Sequence, residues 1–154
     1  MIVRDYRPSD VDALIALFRA SVREVARQDY TEAQVRAWAP DEIARERWVE
    51  RCAANATFVA EIDGRIAGFA DLAEDGLIDM LFVSPAHQRR GVAAALMGRI
   101  ETLARARGLE RLYSDVSRTA RGFFERSGFG VLAEQQVERR GQVLVNFRME
   151  KVLG

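Results

Sequence analysis

The 154-residue sequence has one lysine (Lys151), one cysteine (Cys52), one histidine (His87) and three prolines. A lone cysteine excludes an intrachain disulfide framework. A lone histidine, with no Cys or carboxylate cluster beside it, offers no metal-ligand spacing. No apolar run approaches the roughly 20 residues that cross a bilayer. No signal peptide precedes the first strand, so the cytoplasm is the expected location. Neither charge is in excess, with 23 Lys and Arg against 23 Asp and Glu. A nucleic-acid binder shows a basic surplus, and the pairs Arg89-Arg90 and Arg139-Arg140 come with no aromatic stacking motif. Repeats, linkers and low-complexity segments are also missing. The chain reads as one domain, 1–154, long enough to bury about two-thirds of its unfolded surface.

What is present centres on Gln88-Arg89-Arg90-Gly91-Val92-Ala93. Upstream, Leu77 to Val83 reads as a buried strand that Ser84-Pro85 ends. Downstream, Val92, Leu96, Ile100 and Leu103 recur at helical spacing as far as Arg107. The first turn of a helix has N–H groups without intrahelical acceptors and partial positive charge, which together attract phosphate. Gly91 allows close approach of backbone to ligand. Ala93, Ala94 and Ala95 keep that turn narrow.

The rest of the chain supplies a framework. Met1 to Arg7 alternates as a strand. Ser9 is placed to cap a helix carrying Val11, Leu14, Ile15, Phe18, Val22 and Val25, ending near Gln28. Thr31 starts another helix with Val35 and Trp38 facing inward, and Pro40-Asp41 opens a third through Ile43, Trp48 and Val49. Cys52, in an amphipathic stretch, reads as a buried thiol. Thr57–Ile62, Asp63-Gly64 and Arg65–Ala73 form a hairpin, and Leu77–Val83 adds a third antiparallel strand. Gly108 ends the helix that begins at Val92. Leu109–Val116 is a strand, 118–127 a short helix, and Phe129–Arg139 and Val143–Val152 the last two strands. The unit from 77 to 116 predicts a parallel pair with a right-handed crossover.

At this point the sequence resembles a family. Gln88-Arg89-Arg90-Gly91-Val92-Ala93 is similar to the acetyl-CoA signature, Gln/Arg-x-x-Gly-x-Gly/Ala, of the GNAT superfamily of N-acetyltransferases. Ala120-Arg121-Gly122-Phe123-Phe124-Glu125-Arg126-Ser127-Gly128-Phe129 resembles that family's second block, a helix ending at Gly-Phe before a strand. The resemblance covers Met1 to Lys151 and is weakest over 29–54. It implies an α/β (α+β) fold: a mixed, mostly antiparallel sheet of about six or seven strands, helices on both faces and one parallel strand–helix–strand unit. It also implies acetyl-CoA as cofactor and an amine acceptor, a small molecule or peptide. A homodimer through the last strands, with Val145 or Phe147 facing the partner, is a further implication.

Residue roles follow from chemistry and resemblance together. The N–H groups of Arg89 to Ala94 and the side chains of Gln88, Arg89 and Arg90 are expected at the pyrophosphate. By analogy Leu81, Phe82 and Val83 supply backbone contacts to pantetheine, and an N–H near Leu81 or Phe82 polarises the thioester carbonyl. Attack requires a neutral amine, and an alkyl ammonium has a pKa near 10. Asp79, on the strand face shared with Leu77, Leu81 and Val83, is the candidate proton acceptor or acceptor-binding carboxylate, ahead of Asp71 and Glu61. Tyr30, Trp38 and Trp48 are candidates for the acceptor pocket. In the family a tyrosine protonates the departing thiolate; its position here is Phe124, which has no proton to give. Ser117, Tyr113 and water remain as donors, and Ser117 and Phe124 are expected beside the cofactor. No nucleophile has a base partner, which favours direct attack in a ternary complex. The missing tyrosine leaves a second reading open, a non-catalytic acetyl-CoA-binding regulatory domain.

Overall fold

In the computed structural model, which describes residues 1–154, Asp63 and Gly64 close the expected hairpin with φ of 52° and 75°. Positive φ at both central residues matches the twist of the flanking strands. They join β2 (Ala56–Ile62) to β3 (Arg65–Leu72). With β1 (Ile2–Asp5) and β4 (Leu81–Val83) these form an antiparallel sheet in the order β1-β2-β3-β4. A second antiparallel sheet holds β5 (Arg111–Ser117), β6 (Gly130–Arg139) and β7 (Gln142–Val152), with β7 in the middle. The helices are α1 (Val11–Glu24), α2 (Glu32–Trp38), α3 (Arg45–Ala54), α4 (Val92–Ala106) and α5 (Arg121–Arg126).

Both faces of the first sheet are covered. Phe58, Ala60, Ala70 and Leu72 pack with Val92, Leu96 and Ile100 of α4. Val59 and Phe69 point the other way, to Leu14, Phe18 and Val22 of α1 and to Trp48 of α3. This two-sided burial explains why β2 and β3 read as nearly continuous apolar runs rather than alternating ones.

Four expectations need correction. The strand predicted over 77–83 is split. Leu77 makes one parallel bridge to Tyr113, and only Leu81–Val83 pairs with β3. Between them the buried Asp71 carboxylate accepts the N–H groups of Asp79 (2.9 Å) and Met80 (2.7 Å), doing what a ladder carbonyl would otherwise do. The parallel pair is therefore a single contact, beyond which the two sheets diverge and leave a wedge between β4 and β5. At the start of α1 no side chain caps the helix: a 3-10 turn, Pro8–Asp10, leads into it, and the Asp10 carboxylate reaches back to accept the Arg7 N–H at 2.7 Å, so Ser9 is not the cap. The third helix begins at Arg45, not Pro40, because 39–41 are tied to α1: Arg19 donates to the Pro40 carbonyl and Arg23 to that of Ala39. Phe147 is buried in the core beneath the Arg121 guanidinium, so it faces no partner.

Candidate active site

The turn before α4 folds as its residue types suggest. Arg89 and Gly91 both take left-handed conformations, φ 61° and 78°, and Gly91 caps the helix. Ala95 donates to the Gly91 carbonyl at 3.0 Å, so the N–H groups of Val92, Ala93 and Ala94 precede the first helical hydrogen bond. Left-handed residues in such a turn let successive N–H groups converge into a concave, anion-binding nest. Gln88, Arg89, Arg90 and Gly91 are exposed, and a Cβ on Gly91 would meet nothing within 4 Å. Val92 is buried and offers only its backbone, whereas the side chain of Ala94 is exposed.

From this nest a narrow cavity of about 150 Å³ runs between α1, β4 and the start of α5. Gln88, Ala93, Val22, Leu81, Val83 and Phe123 are among the residues that line it. Ladder alternation orients its β4 wall. Phe82 opposes Phe69 across the β3 pairing, while Asp71 donates to Met80 and Ser84 to Ala67. The N–H groups of Leu81 and Val83 therefore point away from β3, into the wedge. Of the two expected positions for a carbonyl-polarising N–H, Leu81 is the one on the open edge.

A larger cavity of about 580 Å³ opens beyond. The two cavities share Trp38, Phe82 and Ser117. Tyr30, Trp38, Trp48 and Asp79 all line the larger one. The Tyr30 hydroxyl is already committed, donating to the Val145 carbonyl at 2.5 Å and accepting the Arg118 N–H at 2.9 Å. Burial pushes the Tyr30 phenol above its usual range. Asp79 is not in an apolar strand face but half exposed, with Arg51 bound to its Oδ2 at 2.6 Å. No protein donor occupies its Oδ1. Ser117 accepts the Ala120 N–H at 3.1 Å, which leaves its own proton uncommitted.

Other candidates lie elsewhere. Phe124 is in the core against Phe129 at 5.0 Å; its neighbour Phe123 is the ring at the channel. The Tyr113 hydroxyl is bound to Asp75, away from both cavities. Glu61 on β2 pairs with Arg4 on the edge strand β1, away from both cavities. Asp71 is fully buried, and desolvation above all pushes its carboxyl up to about 6. It shapes β4 rather than facing the cavity.

Sequence reasoning missed Asp115, Arg47 and Arg51, which also line the larger cavity. Asp115 was detectable, since it lies two residues before Ser117 on the same strand face. Its carboxylate is occupied by Arg148 at 2.6 and 3.1 Å and by Gln135 at 2.9 Å, and Arg148 above all holds it below the usual carboxylate range. Arg51 lies three residues after Trp48, hence on the same helix face.

A turn of free N–H groups, a channel with a free backbone edge and a wider cavity joined to it form one continuous cleft. Comparison with known proteins places the chain in a family. Residues 26–151 match the acetyltransferase (GNAT) domain family. The chain is 40% identical over 147 residues to the uncharacterized N-acetyltransferase YafP of Escherichia coli (strain K12), covering 96% of this chain and 93% of that one. The crystal structure of a GCN5-related N-acetyltransferase from Rhodopseudomonas palustris superposes with a TM-score of 0.95 at 34% identity, covering 99% and 95% of the two chains. The PaiA N-acetyltransferase from Thermoplasma acidophilum, crystallised with coenzyme A, shares the fold with a TM-score of 0.79 at 20% identity over 99% and 98% of the chains. The protein belongs to the GNAT superfamily of N-acetyltransferases, enzymes whose acetyl donor is acetyl-CoA.

Proposed function

We propose that the protein moves the acetyl group of acetyl-CoA to a primary amine of a small molecule or peptide, by direct attack within one ternary complex. The observation that carries this reading is the junction of the two cavities at Trp38, Phe82 and Ser117. A donor arm entering from the α4 nest and an amine entering from the wide side meet only there.

Acetyl-CoA supplies the activated thioester. The N–H groups of the 89–94 turn and the Arg89 and Arg90 guanidinium groups hold its pyrophosphate through charge-assisted hydrogen bonds. The open edge of β4 pairs with the pantetheine amides, and the Leu81 N–H polarises the carbonyl. Asp79 Oδ1 takes the ammonium proton, directly or through water. With phenylalanine at position 124, the proton for the leaving sulfur comes from Ser117 or water.

Free-thiol release from acetyl-CoA is the test, run against amines, polyamines, amino acids and short peptides, with calorimetric titration of CoA on the same sample. Amine-dependent release is expected. CoA binding without release for any acceptor would instead support a regulatory role, and well-folded protein that does not bind CoA would overturn the assignment.

A further inference from the structure

We propose that the acceptor is a small primary amine bearing an anionic group, a carboxylate or phosphonate, at its far end. This rests on the amine-acetyltransferase reading above and adds the charge of the acceptor. The whole chain is electrically balanced, but the acceptor cavity is not. Four guanidinium groups line it, from Arg47, Arg51, Arg139 and Arg140, against two carboxylates, Asp79 and Asp115. Both carboxylates are already neutralised, Asp79 by Arg51 and Asp115 by Arg148, which is outside the lining. Arg47, Arg139 and Arg140 take part in none of the ion pairs of the protein, although exposed carboxylates are plentiful along the chain. Arg140 is held in place: it has a left-handed φ of 46° and donates to the Ala37 carbonyl at 2.6 Å, fastening the β6–β7 turn to α2. A concave site lined by one sign of charge focuses its field and concentrates ligands of the other sign. Polyamines are therefore disfavoured, despite being rich in primary amines.

The strand register gives this site its polarity. Ser117 pairs with Asn146, which pairs with Gln135. Arg139 is four residues further along β6, roughly 13 Å at the usual rise per residue. The amine end thus belongs at the Ser117–Asp79 side and the anionic end toward the β6–β7 turn. Between them lies an aromatic floor: Phe18 packs on Trp48 at 5.2 Å and on Phe82 at 5.0 Å, and Trp38 on Phe82 at 6.2 Å. That floor suits an apolar spacer. The volume of about 580 Å³ is that of a small-molecule site.

The test uses four probes of matched length: 5-aminopentanoate, 4-aminobutylphosphonate, 5-aminopentanamide and 1,5-diaminopentane. They carry an anionic, anionic, neutral and cationic far end on the same type of alkyl primary amine. Both tryptophans of the chain line the cavity, so intrinsic fluorescence reports binding with CoA present, independently of turnover. The two anionic amines are expected to bind and react about tenfold or more better than the amide, one charged hydrogen bond being enough for that ratio. The diamine is expected to be poorest. The pair of anionic probes separates carboxylate from phosphonate recognition. In Arg47→Gln and Arg139→Gln the ratio of pentanoate to pentanamide should collapse towards one. Equal or tighter binding of the amide or diamine, an unchanged ratio in both variants, or no fluorescence response to any probe would overturn the inference. Discriminating binding without thiol release would keep it and overturn amine acetylation instead, whereas thiol release without charge preference would do the reverse.

Discussion

Asp71 and Met80 hold each other at two points: the Asp71 N–H donates to the Met80 carbonyl at 3.0 Å, and the Asp71 carboxylate accepts the Met80 N–H at 2.7 Å. The same carboxylate takes the Asp79 N–H and the Asn55 side-chain amide. One buried side chain thus sets where the strand leaves β5 and joins β3, and therefore where Leu81 presents its N–H.

This arrangement has a pH signature. Burial is the main reason the Asp71 carboxyl is raised from 3.8 to about 6; nearby Asp79 raises it further, while the Met80 N–H, Asn55 and Arg51 act against that. Between those two values the folded state holds a proton that the unfolded state has released. Stability contributed by this group therefore falls as pH rises through the window, by roughly 3 kcal/mol once it is crossed. Asp71→Asn is neutral throughout and retains an oxygen for both N–H groups. Urea unfolding on either side of the window should show a shallower decline in the variant. An identical decline would mean that another group titrates there.

Asp79→Asn removes the proposed proton acceptor and the Arg51 ion pair, which is partly exposed and contributes at most about 1 kcal/mol. Turnover should drop by roughly 10²-fold or more, with CoA affinity and thermal stability nearly unchanged. Retention of wild-type turnover over the whole pH range would remove Asp79 from the chemistry.

The parts of this architecture that depend on local chemistry were legible in the sequence. Asp63-Gly64 specified its hairpin, and Arg89-Arg90-Gly91 specified the turn before α4, because positive φ and a helix start have short-range signals. Tyr30, Trp38 and Trp48 are expected at an acceptor pocket; all three line the larger cavity, and Tyr30 and Trp48 are at the same time buried in the core beside α1. What escaped notice depends on distant partners. Asp71 looked like a weak candidate base because nothing local shows that its carboxylate meets residues 79 and 80. Phe123 and Phe124 are adjacent in sequence, and only the seating of α5 against Phe129 decides which ring goes to the core. Arg47 and Arg51 carry no local signal, and only the placement of α3 brings them to the cavity.

Gly91→Glu should abolish CoA binding while the protein stays folded. A side chain has room there, but φ of 78° strains any Cβ-bearing residue by about 1–2 kcal/mol, and the added carboxylate repels phosphate at the nest. Gly91→Ala is the control, with the same strain and no charge. Calorimetry should show weakened binding in the alanine variant and none in the glutamate variant. Unchanged affinity in a folded glutamate variant would move the phosphate site elsewhere.

Gly68 controls the same nest from the opposite side. A Cβ there would come within 2.7 Å of Val92 Cγ1, 2.9 Å of the Phe82 carbonyl oxygen and 3.2 Å of Leu96 Cδ1. Two of these atoms are on α4 and the third on β4, the elements that form the nest and the channel. Overpacking of this kind costs about 1–3 kcal/mol. Because both Val92 on α4 and the Phe82 carbonyl on β4 must give way, Gly68→Ala should both lower the melting temperature and weaken CoA binding, even though residue 68 is distant in sequence from the phosphate turn. A variant that loses stability but binds CoA as the wild type does would show that α4 and β4 keep their positions and that the strain is absorbed elsewhere.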